Sequence, residues 1–167
     1  MDKLYAWLHV EPEGFSLWKF FLDCLFWLFI YTSIVGIFLT HSSTELPSSK
    51  ALEGFVQDHP VRLFVALPFL AAAEELLFRL PLIVFIKRNS SVGVLAAATI
   101  TLSIIFGLGH GGWIGVPMQG VMGLIFCCVF LKCGGLHKKY GKAFLSSTVV
   151  HFSYNFISFG LFLLFKT

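Results

Sequence analysis

The chain has 167 residues, of which 57% are hydrophobic and 13% charged, with 20 phenylalanines and a net charge of +3. Soluble domains average roughly 45–50% apolar and about 25% charged residues, so this composition excludes a water-soluble globular enzyme, a disordered chain and a nucleic-acid binder. The small net charge calls for no polyanionic partner; the partner that the composition does call for is the lipid bilayer.

A membrane-crossing helix needs about 20 mostly apolar residues. Five stretches qualify: Leu17–Thr40, Val61–Ile86, Val92–His110, Trp113–Leu131 and Ala143–Phe165. None shows the alternation of a membrane β-barrel strand. The expected fold is all-α, a polytopic transmembrane bundle of about five spanning helices forming a single membrane domain over residues 1–167. The first stretch starts too late and runs too long for a cleavable signal. Its Asp23 sits near the helix start, where a carboxylate is favoured. The longest connector, His41–Pro60, is rich in turn formers such as Pro47 and Ser48 and carries more acid than base. Cys24, Cys127, Cys128 and Cys133 lie in or beside apolar runs with no CxxC spacing, so they read as small core or lipid-facing residues.

Positive charge sets the orientation. One side collects Lys3, Lys19, Lys87, Arg88, Lys132, Lys138, Lys139 and Lys142, and the other Lys50, Arg62 and Lys166, eight against three. The expected protein is therefore integral and multi-pass, with a cytoplasmic N-terminus and the C-terminus outside. In a prokaryote its place is the cell membrane.

Ionisable side chains inside a span are costly, and each one is informative. The second span contains Glu74-Glu75-Leu76-Leu77-Phe78-Arg79. Glu75 and Arg79 are four apart, share a helix face and can pair. Glu74 is turned by about 100° from Glu75 and points elsewhere. With Glu75 neutralised by Arg79, Glu74 is the carboxylate suited to accept a proton from a nucleophile; the competing reading is a purely structural clamp. The third span ends Phe106-Gly107-Leu108-Gly109-His110, with His110 ringed by glycines that permit a helix break. In the fifth span His151 and Asn155 share a face, with Ser147 on the same stripe. They serve either as interhelical glue or as donors to a developing oxyanion. Gly120 and Gly123 beside Gln119 in the fourth span form a small-residue packing face.

Taken in order, these motifs read EExxxR, FxxxH and HxxxN, each inside its own span. The set resembles the CPBP family, the CAAX-protease and bacteriocin-processing (Abi) membrane proteins, whose eukaryotic relatives are the type II CAAX prenyl endopeptidases. The resemblance covers roughly Val61 to Phe165. It implies an intramembrane glutamic endopeptidase acting on a membrane-associated or lipidated protein or peptide. By that resemblance Glu74 and His110 hold and deprotonate a water, His151 and Asn155 stabilise the oxyanion, and Glu75, Arg79 and Phe106 support them. No cofactor is implied in this version. A zinc-dependent version, with Glu74, His110 and His151 as ligands and one open position, ranks second. The other readings are a non-catalytic immunity or regulatory protein of the same family, and an ion-coupled transporter, for which the expected inverted repeat is not visible. Only one span precedes the first motif, where many members of the family have more.

Depth sets one further condition. Glu74 lies about 12 residues, or roughly 18 Å of helix, from the inner end of its span. His110 lies near the far end of the third. The two meet only if the third span is tilted, begins deeper than Val92, or continues past His110.

Overall fold

The computed structural model describes residues 16–41 and 60–165. The connector over 42–59 and the terminal lysines used to orient the chain lie outside the described residues. The described chain is helical throughout, without strands. Its five helices are α1 (Leu17–His41), α2 (Pro60–Lys87), α3 (Val92–Gly109), α4 (Gly112–Gly135) and α5 (Tyr140–Phe165). A chain this apolar has to satisfy its backbone N–H and C=O groups within each segment once it is in lipid, and the helix is the single-segment solution.

Three of the helices contain windows long and apolar enough to cross a membrane: Trp18–Val35 in α1, Val92–Gly109 in α3 and Gly112–Gly135 in α4. The other two have the length, with 28 residues in α2 and 26 in α5. Their interiors carry the ionisable groups of the site, Glu74, Glu75 and Arg79 in α2 and His151 in α5. Large apolar side chains such as Trp27, Phe69, Leu77 and Leu161 remain exposed on the outside of the bundle, as lipid-facing residues should.

Inside, two apolar clusters hold the helices together. One joins Leu25 and Leu28 of α1 to Met122, Phe126 and Val129 of α4 and to Val150 and Tyr154 of α5. The other joins Ile86 of α2 to Phe130 and Leu131 of α4 and Ala143 of α5. α5 packs against both α2 and α4, so the helix carrying His151 is the centre of the bundle.

Local chemistry sets the helix ends. Ser91 caps α3, its side chain accepting from the Val94 N–H at 3.4 Å. Asn89, between α2 and α3, takes a left-handed φ of 51°, a conformation that asparagine tolerates. α4 is not uniform: its backbone widens into π turns over Val116–Gly120 and Leu131–Gly135. Pro117 in the first of these has no N–H to continue the α ladder. Tyr31 of α1 donates its hydroxyl to the Pro117 carbonyl, pinning α1 to this irregular turn.

α3 and α4 form a tight hairpin. His110 follows the last turn of α3, its N–H donating to the Gly107 carbonyl at 3.0 Å. Gly112 then turns the chain with φ +62°, where a Cβ would be strained. The two backbones touch below the turn: a Cβ on Gly115 would lie 2.1 Å from the Gly107 carbonyl oxygen. Further down, Gly120 faces the Ser103 carbonyl and Gly123 faces the Phe106 ring. The small-residue face expected in this region is thus a packing face against α3. Because α3 starts at Val92 and stops at Gly109, neither a deeper start nor a continuation carries His110 to the depth of Glu74. His110 nonetheless comes within 3.7 Å of Glu74 as α3 packs against α2.

Candidate active site

The polar groups of the site come from four helices. α2 supplies the acidic pair and Arg79. Glu75 and Arg79 are almost fully buried, at 1% and 2% exposure, in a span made mostly of apolar residues. Burial of this kind requires a partner for each charge. The Arg79 guanidinium meets the Glu75 carboxylate in a two-pronged contact, Nε to Oε2 and Nη2 to Oε1, both at 2.9 Å. This is the i, i+4 pairing expected from the sequence. Its remaining prong, Nη1, donates to Cys127 Sγ of α4 at 2.8 Å.

α5 brings His151 against the same carboxylate. His151 Nδ1 lies 3.2 Å from Glu75 Oε1. With Glu75 ionised, Nδ1 carries the proton and donates it. The other ring nitrogen, Nε2, faces Glu74 Oε2 at 3.5 Å. Phe126 of α4 stacks on the imidazole, with centroids 4.4 Å apart and planes 22° apart. The His151 side chain is only 3% exposed. Ser147, one turn earlier on its stripe, is fully buried and donates to the Phe144 carbonyl at 3.1 Å.

The α3–α4 hairpin supplies His110. Its Nδ1 is 2.7 Å from the Phe106 carbonyl oxygen. A carbonyl only accepts, so Nδ1 is the protonated nitrogen and Nε2 is directed at Glu74 Oε1, 3.7 Å away. The Phe106 ring is tilted against His110 at 4.2 Å, meets the His151 ring edge-on at 5.9 Å, and is itself met by Phe78 at 5.0 Å. Phe106 therefore acts twice, through its carbonyl on His110 and through its ring as an apolar wall between the two imidazoles.

Glu74 thus lies between two imidazoles from different helices, one carboxylate oxygen turned to each. Its side chain and that of His110 are 32% and 33% exposed, against 3% for His151. The Glu74–His110 side is the accessible face of the site, and the His151–Glu75–Arg79–Cys127 side is its buried support. Asn155, one turn beyond His151 on α5, is half-buried and outside this contact network. Among the described residues no group of three His, Cys, Asp or Glu is disposed to hold a metal ion; the chemistry below is derived from the side chains alone.

Two contributors were not visible in the sequence. Cys127 and Phe126 look like any other members of the apolar run in α4. The only available signal was arithmetic: a buried guanidinium has five N–H donors, and one carboxylate cannot satisfy them all.

A family model described as type II CAAX prenyl endopeptidase Rce1-like matches residues 57–157. That stretch contains α2, α3, α4 and the part of α5 that bears His151 and Asn155. Neither the curated proteins nor the solved structures give a match.

Proposed function

Because the chain belongs to the type II CAAX prenyl endopeptidase Rce1-like family, a family of proteases, we propose that it is an intramembrane endopeptidase of glutamic type. Its substrate is a membrane-associated or lipidated protein or peptide. The observation that carries this reading is the position of Glu74 between His110 and His151 on the accessible side of a buried ion-pair network.

In this mechanism a water molecule sits against Glu74 and His110. The 3.7 Å separation of Glu74 Oε1 and His110 Nε2 exceeds a direct hydrogen bond, and both side chains are about one-third exposed, which suits a bridging water. His110, its Nδ1–H held by Phe106, accepts from the water through Nε2 and orients it. Glu74 takes a water proton as the oxygen adds to the scissile carbonyl carbon. The carbonyl π pair moves onto its oxygen, giving a tetrahedral oxyanion. His151, in the form carrying both ring protons, gives Nδ1–H to Glu75 and has Nε2–H left for the oxyanion. The Asn155 amide is the second donor once substrate lies along α5. Collapse of the intermediate breaks the C–N bond, and the leaving amine takes the proton that Glu74 carries. Glu75 and Arg79 do not touch the reacting atoms; they position His151.

The test is direct. The purified full chain in proteoliposomes is incubated with a prenylated peptide ending in a CAAX motif and with its unprenylated counterpart, and products are read by mass spectrometry. Cleavage by the wild type and its loss in folded His110→Ala is the expected result. Cleavage by His110→Ala at the wild-type rate contradicts the mechanism.

A further inference from the structure

Away from the catalytic groups, α1, α4 and α5 enclose an open cavity of about 340 Å³. Its walls are Trp18 and Phe21 of α1, Val129 and Cys133 of α4, and Leu145 and Val149 of α5. None of Glu74, His110, His151 or Asn155 lines it. Its volume is in the range of small-molecule sites, and its lining is almost wholly apolar. The α1 wall also lies outside the stretch over which the chain matches its family.

The cavity lies toward the basic end of the bundle. Its residues belong to the first turn of α1, the second and third turns of α5 and the last two turns of α4. Lys87 from the end of α2 reaches the Tyr140 ring at the start of α5. Lys138 donates to Asn89 across the same end. Two exposed lysines flank the cavity itself. Lys142 is in helical register with the lining stripe Leu145, Ser146 and Val149, at spacings of three, four and seven residues, which places it one turn beyond the cavity on the same face of α5. Lys19 lies between the lining residues Trp18 and Phe20 at the start of α1. Among the described residues Asp23, one turn along α1 from Lys19, is the only carboxylate at this end.

An apolar slot between helices with exposed lysines beside its lining complements one kind of molecule: a hydrocarbon chain ending in an anionic head. We propose that the α1–α4–α5 cavity binds an anionic phospholipid, with an acyl chain between Trp18, Val129 and Val149 and the phosphate head at Lys142 and Lys19. The lipid bridges α1 to the matched core, which otherwise holds α1 through the Leu25–Leu28 cluster and the Tyr31 hydroxyl. A basic pocket between transmembrane helices is a common way to select such headgroups. The site is independent of the protease reading, because its occupancy is measured without substrate or turnover.

Native mass spectrometry of the full chain, titrated in detergent with phosphatidylglycerol or phosphatidylcholine of equal acyl length, tests it. The expected result is stronger retention of phosphatidylglycerol. Lys142→Gln should weaken that retention about fivefold, and Lys19→Gln with Lys142→Gln by roughly 25-fold, from the typical worth of one basic residue at an anionic lipid surface. Val149→Trp, which fills the slot, should abolish it, and Val65→Trp on the exposed face of α2 should leave it unchanged. Thermal unfolding without added lipid identifies any variant that fails to fold, and the lysine pair carries the test in that case. Equal retention of the two lipids, or unchanged phosphatidylglycerol binding in the double lysine variant, overturns the proposal.

Discussion

Replacing Gly115 with alanine adds one methyl group at the tightest point of the α3–α4 hairpin. The new Cβ would stand 2.1 Å from the Gly107 carbonyl oxygen, 3.1 Å from the Gly107 carbonyl carbon and 3.3 Å from the carbonyl carbon of His110. Cβ contacts below 3.0 Å essentially do not occur, so the two backbones must separate by at least about 0.9 Å. The atoms in the way are backbone on both sides, so no side-chain rotation relieves the clash. Overpacking of this kind costs about 1–3 kcal/mol. It also moves His110 relative to Glu74, which sits on another helix, and a misplacement near 1 Å at a catalytic centre costs on the order of 10²-fold in rate. The control is Gly109→Ala, adjacent to His110 in sequence but with no atom within 4 Å of the added carbon. Peptide cleavage in proteoliposomes and thermal unfolding in detergent are measured on both variants. Gly115→Ala should lose stability and roughly two orders of magnitude in kcat, while Gly109→Ala stays close to wild type. Folded Gly115→Ala with wild-type kcat would refute the claim that this backbone contact sets the position of His110.

Other substitutions probe the buried support. Arg79→Met leaves the 1%-exposed Glu75 carboxylate without its cation, which should cost about 3–5 kcal/mol in unfolding experiments. Arg79→Lys should recover only part of this, because an ammonium lacks the planar fork. Cys127→Ala removes the acceptor for Arg79 Nη1 and should cost about 1–3 kcal/mol, with Cys127→Ser restoring most of the loss. Asn155→Ala, outside the resting network, should unfold like wild type yet lower kcat by roughly 10²–10³-fold with little change in KM, as removal of an oxyanion donor does.

The helices were legible because each is a long apolar run and lipid admits few alternatives for such a run. Their ends were less so. α4 extends from Gly112 to Gly135 rather than from Trp113 to Leu131, its last turn widening and kinking at Cys133 and Gly134, where the backbone leaves helical geometry in a way that hydropathy does not report. α5 begins at Tyr140, ahead of the apolar run that starts at Ala143. The Glu75–Arg79 pair followed from helical spacing alone. The approach of His110 to Glu74 did not: counting residues along ideal helices placed them at different depths. The contacts that bring them together, α3 against α2 and the glycine approaches between α3 and α4, are distributed over several helices and leave no local pattern. Cys127 was illegible for a related reason, because its role depends on Arg79, 48 residues away. The acidic connector lies outside the described segments, as do Lys3, Lys50 and Lys166 of the charge count, and nothing within the described helices fixes which side of the membrane each terminus takes.

The most direct measurement is the turnover of folded Glu74→Gln in proteoliposomes, against a peptide that the wild type cleaves. The amide keeps the size and much of the hydrogen bonding of the carboxylate but cannot take a proton from water. The account expects a fall in kcat of at least about 10²-fold, the lower end for loss of a general base, with thermal unfolding unchanged. Glu74→Gln turning over at the wild-type rate would contradict it.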